Sequence, residues 1–188
     1  QASVRFNAAT IGSGSADVET VEYQAITGRN EHNYAQIGHG GYEADGPNNN
    51  QFDGGNSGGI SIEAGANIRM HAGDYHRAYT QIGHGGYHTR GSHHGDITIG
   101  LAPGTTGGKL ELLAGNGHRH YDYEAYAMLG HGGNEADGNH SGDIRITNGR
   151  NDTDGLGVLL KAGSPLESTA QIGHGGYNTD GLKSGTVT

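Results

Sequence analysis

"AQIGHGGY" at residues 35–42 recurs letter for letter at 170–177, with "TQIGHGGY" at 80–87 and "AMLGHGGN" at 127–134 between them. Anchored on Ile37, Ile82, Leu129 and Ile172, the four copies stand 45, 47 and 43 residues apart. A near-constant period of this size marks a repeat architecture, in which each unit buries its apolar face against the next. The octet is therefore either a binding motif copied for valency or one corner of a repeating fold.

Two further segments recur with it. One reads "GISIEAG" (59–65), "GDITIGL" (95–101) and "GDIRITN" (142–148), with "SVRFN" (3–7) and "SGTVT" (184–188) in the same slot at either end. The other reads "NIRMHAG" (67–73), "GKLELLAG" (108–115) and "GVLLKAG" (157–163), with "DVETVEY" (17–23) a poorer match. All are short and alternate apolar with polar, the strand period of two, and Gly, Asn, Asp and Ser punctuate them. Extra length collects in "EADGPNNNQFDGGNSG" (43–58) and "NGHRHYDYEAY" (116–126), while the strands keep theirs. The pattern predicts an all-β chain, a parallel three-sided β-solenoid (β-helix) of about four turns of ~45 residues. It forms one repetitive domain over 1–188, with turns at 1–56, 57–94, 95–140 and 141–183 and the start of a further turn at 184–188. Each turn rises by one strand spacing, about 4.8 Å.

Composition agrees and excludes several functions. Glycine supplies 38 of 188 residues, far above the usual share of about 7%, yet it does not fall at every third position as collagen requires. Only 31% of residues are apolar and there is no tryptophan, so the core is narrow and elongated. The absence of cysteine removes disulfides and thiolate metal sites. A formal charge of −9 with no cluster of cations argues against nucleic acid as a partner. No apolar run approaches the ~20 residues that span a bilayer.

Alternation gives each letter of the octet a face. Ala35, Ile37 and His39 share one side, Gln36 and Gly38 the other, and the same parity holds in each copy. Stacked over successive turns, Ile37, Ile82, Leu129 and Ile172 form a core column. His39, His84, His131 and His174 then form a corner column, in which each neutral imidazole satisfies backbone groups. Gly40, Gly85, Gly132 and Gly175 turn the chain where a Cβ would clash. The alternative for the histidines is a metal or proton ladder, but ligands converge on one ion whereas a ladder presents one imidazole per turn. Tyr42, Tyr87 and Tyr177, interrupted by Asn134, read as a packing column, with a carbohydrate platform the other possibility.

The loops "EADG" (43–46, 135–138) and "NTDG" (178–181) place Asp45, Asp137 and Asp180 in oxygen-rich turns that suit calcium. They equally suit ordinary Asp-Gly turns, in which the carboxylate bonds its own backbone. No other cofactor is indicated. "SHHGD" (92–96) and "GHRHYDY" (117–123) place His93, His94, His118 and His120 in loops, where they read equally as chelators of adventitious nickel or copper and as polar surface. With 13 histidines, full protonation would carry the formal charge from −9 to +4, so association should change sharply between about pH 8 and 5.

"GISIEAGANIRMHAG" and "SGDIRIT", joined to the I-G-H-G-G corner, resemble the filamentous-haemagglutinin-like exoproteins of Gram-negative bacteria over essentially the whole chain. The resemblance implies a right-handed β-helix, the hand that parallel crossovers also favour. It implies secretion through a dedicated outer-membrane partner to the cell surface or the extracellular space. It further implies a part in adhesion, aggregation or biofilm structure, with extracellular glycans among the candidate partners, and no catalytic residues.

The expected function is thus structural: a fibre or adhesin stalk. Neither terminal strand is followed by a helix or other cap, so the solenoid is expected to continue in a longer chain or to stack head to tail on itself. The alternatives are a polysaccharide-acting β-helix enzyme, or a filament that binds metal through the histidine column or calcium through the Asp-Gly loops. An enzyme would gather its acid and base at one place on one flank. This chain spreads near-identical residues along its length, and Asp96 and Asp143 recur at equivalent strand starts. No catalytic residue is assigned.

Overall fold

The computed structural model describes residues 4–7, 21–24, 34–44, 55–64, 67–101, 108–116, 124–147, 157–164 and 166–188. Among these residues every regular element is a β-strand. In chain order the first six are β1 (Val4–Asn7), β2 (Val21–Gln24), β3 (Tyr34–Ile37), β4 (Ile60–Ala64), β5 (Ile68–His71) and β6 (Tyr79–Ile82). Next come β7 (His93–His94), β8 (Ile97–Leu101), β9 (Leu110–Leu113), β10 (Ala127–Leu129) and β11 (His140–Ser141). The last four are β12 (Ile144–Thr147), β13 (Val158–Lys161), β14 (Ala170–Ile172) and β15 (Lys183–Ser184).

The strands form stacked parallel sheets, which the chain visits in the same order in each repeat. The first sheet has the order β1-β4-β8-β12, the second β2-β5-β9-β13 and the third β3-β6-β10-β14. This is an arrangement consistent with a β-solenoid. The segments read from the sequence as first, second and third strands supply these three sheets in that order. A fourth, narrow sheet of order β7-β11-β15 was not anticipated. It lies in the stretch read as loop after the octet, and a bridge from Ser57 to His94 extends it by one repeat. No helix among the described residues is long and apolar enough to cross a membrane.

Register follows the sequence alignment. Ile60 pairs with Ile97 and Ile97 with Ile144, Ile68 with Leu110 and Leu110 with Val158, and Ile37 with Ile82 and Ile82 with Leu129. A slip of one residue would turn each of these side chains out of the core. In β4 and β8 alternate residues are buried, and one cluster runs along the stack through Ile60, Ile62, Ile97, Ile99, Leu110, Leu112, Ile82 and Leu129. Each such side chain, fully withdrawn from water, contributes about 1.5–3 kcal/mol.

The third sheet departs from simple alternation. All four residues of β6 and all three of β10 are buried. Ile82 and Leu129 face the main core, while Tyr79, Tyr126 and Met128 form a second cluster with Tyr87, against which Tyr42 packs. Tyr87 comes from the chain just after the octet corner, so that chain folds back over the outward face of its own sheet. Gln81, expected on an outward polar face, is therefore buried. Alternation reports where successive side chains point, but not whether another segment later covers them.

Candidate functional site

The corner that follows the third sheet is where the octet acts. Its glycines have mirror-β backbone angles, φ +152° at Gly83 and +135° at Gly86, which residues with a Cβ rarely adopt. A Cβ at Gly83 would overlap the carbonyl oxygen of Gly130 in the next repeat. At Gly86 it would lie 2.8 Å from the hydroxyl oxygen of Tyr79. The glycines thus serve two close approaches: backbone on backbone between repeats, and a tyrosine tucked under the turn within one. Gly40, Gly85, Gly132 and Gly175 also have positive φ, and bridges run from Gly40 to Gly85 and from Gly85 to Gly132.

Between the glycines the histidines stack as a column. Ring centroids are 5.0 Å apart for His39 and His84, 4.9 Å for His84 and His131, and 5.0 Å for His131 and His174, with planes within 12° of parallel. Each inner ring uses both nitrogens. The backbone N–H groups of His39, His84 and His131 donate to Nδ1 of His84, His131 and His174, each at 3.0 Å. On the other side, Nε2 of His84, His131 and His174 lies 2.9, 2.7 and 2.8 Å from the carbonyl oxygens of Gly58, Gly95 and Gly142. A carbonyl only accepts and a backbone N–H only donates, so the partners fix the tautomer: Nε2 carries the proton and Nδ1 the lone pair. His84 and His131 are 1% and 0% exposed. Burial lowers the affinity of both for a second proton, bringing His131 down to about 3.

A glutamine column supports the corner from within. Nε2 of Gln81 donates to the carbonyl oxygens of His84, Gly130 and Gly132 at 3.2, 3.0 and 3.0 Å. Gln36 does the same one repeat earlier, towards His39, Gly83 and Gly85. Met128 takes this register position in the third repeat and joins the tyrosine cluster instead.

The aromatic column named from the sequence is accompanied by a second one. Tyr42 stacks on Tyr87 at 5.2 Å. Asn134, fully buried in the third slot, accepts the backbone N–H of Tyr177 at Oδ1, 3.1 Å away. The second column, Tyr34–Tyr79–Tyr126, stacks at 5.0 and 4.7 Å. It repeats at the intervals of the core column, 45 and 47 residues, so the signal lay one residue before the octet. On this flank the Tyr87 hydroxyl donates to Glu135 at 2.7 Å. Arg77 Nε donates to Glu124 at 2.9 Å while its guanidinium lies 4.6 Å over the Tyr87 ring. Burial and the neighbouring Glu135 carboxylate push the Tyr87 phenol above its ordinary range.

The loop histidines need a correction. His93 is not a surface group: it is 1% exposed in β7 and stacks on buried His140 at 5.2 Å. The two form a second histidine column beside the first, and Lys183 takes its next register position. The Lys183 ammonium donates to the carbonyl oxygens of Gly138, Asp180 and Gly181. The signal was an aligned "HHGD" and "HSGD", 47 residues apart. His94 is exposed, and His118 and His120 lie outside the described residues.

The acidic positions do not converge. Asp45 lies outside the described residues. Asp137 forms a backbone bridge with Arg90, and Asp180 is exposed. Among the described residues no three His, Asp or Glu side chains are grouped closely enough to hold a metal ion. Asp96 and Asp143 form a backbone ladder: Oδ1 of Asp96 accepts the N–H of Asp143, and Oδ1 of Asp143 that of Thr186, both at 2.9 Å. The chemistry of the corner is therefore that of holding repeats together. No protein-family model, curated protein or solved structure matches the chain.

Proposed function

We propose that the chain is a structural β-solenoid segment of an extracellular fibre or adhesin stalk, reached by bacterial-type secretion and performing no reaction. Its three main sides wind in the right-handed sense through about four turns of ~45 residues. The narrow fourth sheet belongs to the corner between the third side and the next turn.

The observation that carries this reading is the continuous stacking of near-identical side chains along the parallel sheets, with apolar side chains exposed beside an open sheet edge. Val158 and Leu160 are in register with Leu110 and Leu112, yet they are 38% and 43% exposed where the latter are fully buried. Val187, which bridges to Ile144, is also exposed. Side chains belonging to the core column thus face water, beside the open edges of parallel sheets. Open parallel edges of this kind template further strands, which supports stacking on another copy of the chain. The spread of near-identical side chains along the stack supports a lattice over a catalytic centre.

Electron microscopy and fibre diffraction of the purified chain test this. Filaments are expected, with a meridional spacing of about 4.8 Å and an axial repeat near 19 Å for four spacings. Leu160→Lys, which charges the open end, should abolish them. Discrete particles whose size Leu160→Lys leaves unchanged would overturn the proposal. Loss of the filaments in chelator would add calcium as cement.

A further inference from the structure

The two histidine columns adjoin. Ring stacking links His39, His84, His131 and His174 in one and His93 and His140 in the other. Across the seam His84 acts on His93, His93 on His131, and His174 on His140. The other charged or titratable groups acting on these buried rings are His94, beside His84 and His93, and Lys183, beside His140. All are cationic or become so on protonation. The other contacts are neutral, among them the carbonyl oxygens of Gly58, Gly95 and Ala136, the backbone N–H groups of His39 and His84 on Nδ1 of His84 and His131, the Asn139 backbone beside His140, the N–H of Asn56 on His93 Nδ1 at 3.2 Å, and the Thr89 hydroxyl 3.4 Å from His93 Nε2.

This arrangement cannot accept protons gracefully. A proton added at Nδ1 of His131 would set an N–H against the His84 backbone N–H that now donates to it, leaving two donors facing each other. It would also place a positive charge 4.9 Å from the next ring. The same holds one repeat earlier for His84. Because the hydrogen bonds through Nδ1 of His84, His131 and His93 are bonds between repeats, protonation there breaks the joint and not merely a side chain's environment. His140, whose buried Nδ1 has no hydrogen-bond partner and whose Nε2 meets Ala136, opposes a proton through burial and through Lys183 beside it.

We propose that the paired histidine columns form an acid-sensitive clasp, holding successive repeats together at neutral pH and releasing this corner cooperatively on mild acidification. The inference is independent of the fibre proposal, since it concerns repeats within one chain. The direction follows from linkage. Folding depresses these groups, with His93 and His131 brought down to about 3 and His140 to about 4, burial being the main cause. Their contribution is complete above the unfolded value near 6.5. As pH falls from there towards the folded values, the unfolded chain takes up protons that the folded chain refuses, and stability is lost.

The test is urea unfolding of the 188-residue chain across pH 7.5 to 5, beside His131→Asn/His140→Asn, whose side-chain amides do not titrate. Between pH 6 and 5 the wild-type unfolding constant should rise roughly fiftyfold more than the variant's, which takes up two histidine protons fewer on unfolding. Equal slopes would overturn the clasp. If the variant does not fold, NMR of the wild-type imidazoles decides. Rings of His84, His93, His131 and His140 that stay neutral and Nε2-protonated until structure is lost support the clasp. Rings that titrate near 6.5 in a chain that stays folded refute it.

Discussion

A single added methyl group separates the two roles of glycine in this chain. Gly83 and Gly173 occupy equivalent octet positions with φ of +152° and +141°, so alanine is strained at both. Only at Gly83 does the missing Cβ point into the next repeat, at the Gly130 carbonyl; at Gly173 the nearest atom is Gln171 Nε2 at 3.7 Å. Gly173→Ala should therefore cost about 1–3 kcal/mol from backbone strain alone, and Gly83→Ala clearly more. Equal losses in urea titrations would show that stacking distance does not constrain the corner. The histidines make a second point at this scale. His93 and His131, brought down to about 3, and His140, brought down to about 4, by burial, remain neutral in the folded chain at mildly acid pH. The formal charge therefore stops short of the +4 that protonation of all 13 histidines would give while the fold persists. Unfolding in urea at about pH 5.5 should take up protons, read by potentiometric titration; unfolding without uptake would contradict this.

Among the elements, the third sheet is the most constrained, because the chain that leaves it returns to cover it. Arg77 and Glu124 flank this layer, and Glu124 is 5% exposed with Arg77 as its ion-pair partner. Removing the cation alone strands a buried carboxylate. Arg77→Met should cost about 3 kcal/mol, the lower end of the range for broken buried pairs because Arg77 is itself partly exposed. Arg77→Met combined with Glu124→Gln should recover most of that loss. A double-mutant cycle with additive effects would mean that the pair is not coupled. Burial of this sheet on both faces could not be read from alternation, since nothing in a strand's own period records a later segment folding over it. The Tyr34–Tyr79–Tyr126 column was different: its spacing was present in the sequence, one residue outside the boundary at which the motif was drawn.

For the molecule as a whole, position along the stack decides what a core residue contributes. Leu112 and Leu160 share a register position, but only the first has a repeat on either side. Leu112→Ala should cost about 2–5 kcal/mol, the range for a fully buried leucine, and Leu160→Ala under about 1 kcal/mol in dilute solution. At concentrations where filaments form, the cost of Leu160→Ala should rise towards that of Leu112→Ala, because burial then comes from the added turn. Concentration-dependent melting of both variants measures this. A Leu160→Ala effect that does not change with concentration would leave the open end without a partner.

What the sequence determined by itself was periodic: the three longer strands of each repeat and the spacing that aligns Ile37, His39, Gly40 and their equivalents. These properties are local, because alternation and spacing act through neighbours one strand apart, and a repeat aligned in sequence is a repeat aligned in space. Tertiary structure alone decided which faces were covered and which polar groups met. It buried His93, turned "SHHGD" from a loop into a fourth sheet, enclosed Gln81, and gave each inner imidazole its backbone partners on both sides. Those outcomes depend on segments 26 to 36 residues apart meeting edge to edge. The Nδ1 half of each imidazole's bonding joins one repeat to the next, so no single repeat, read alone, contains it.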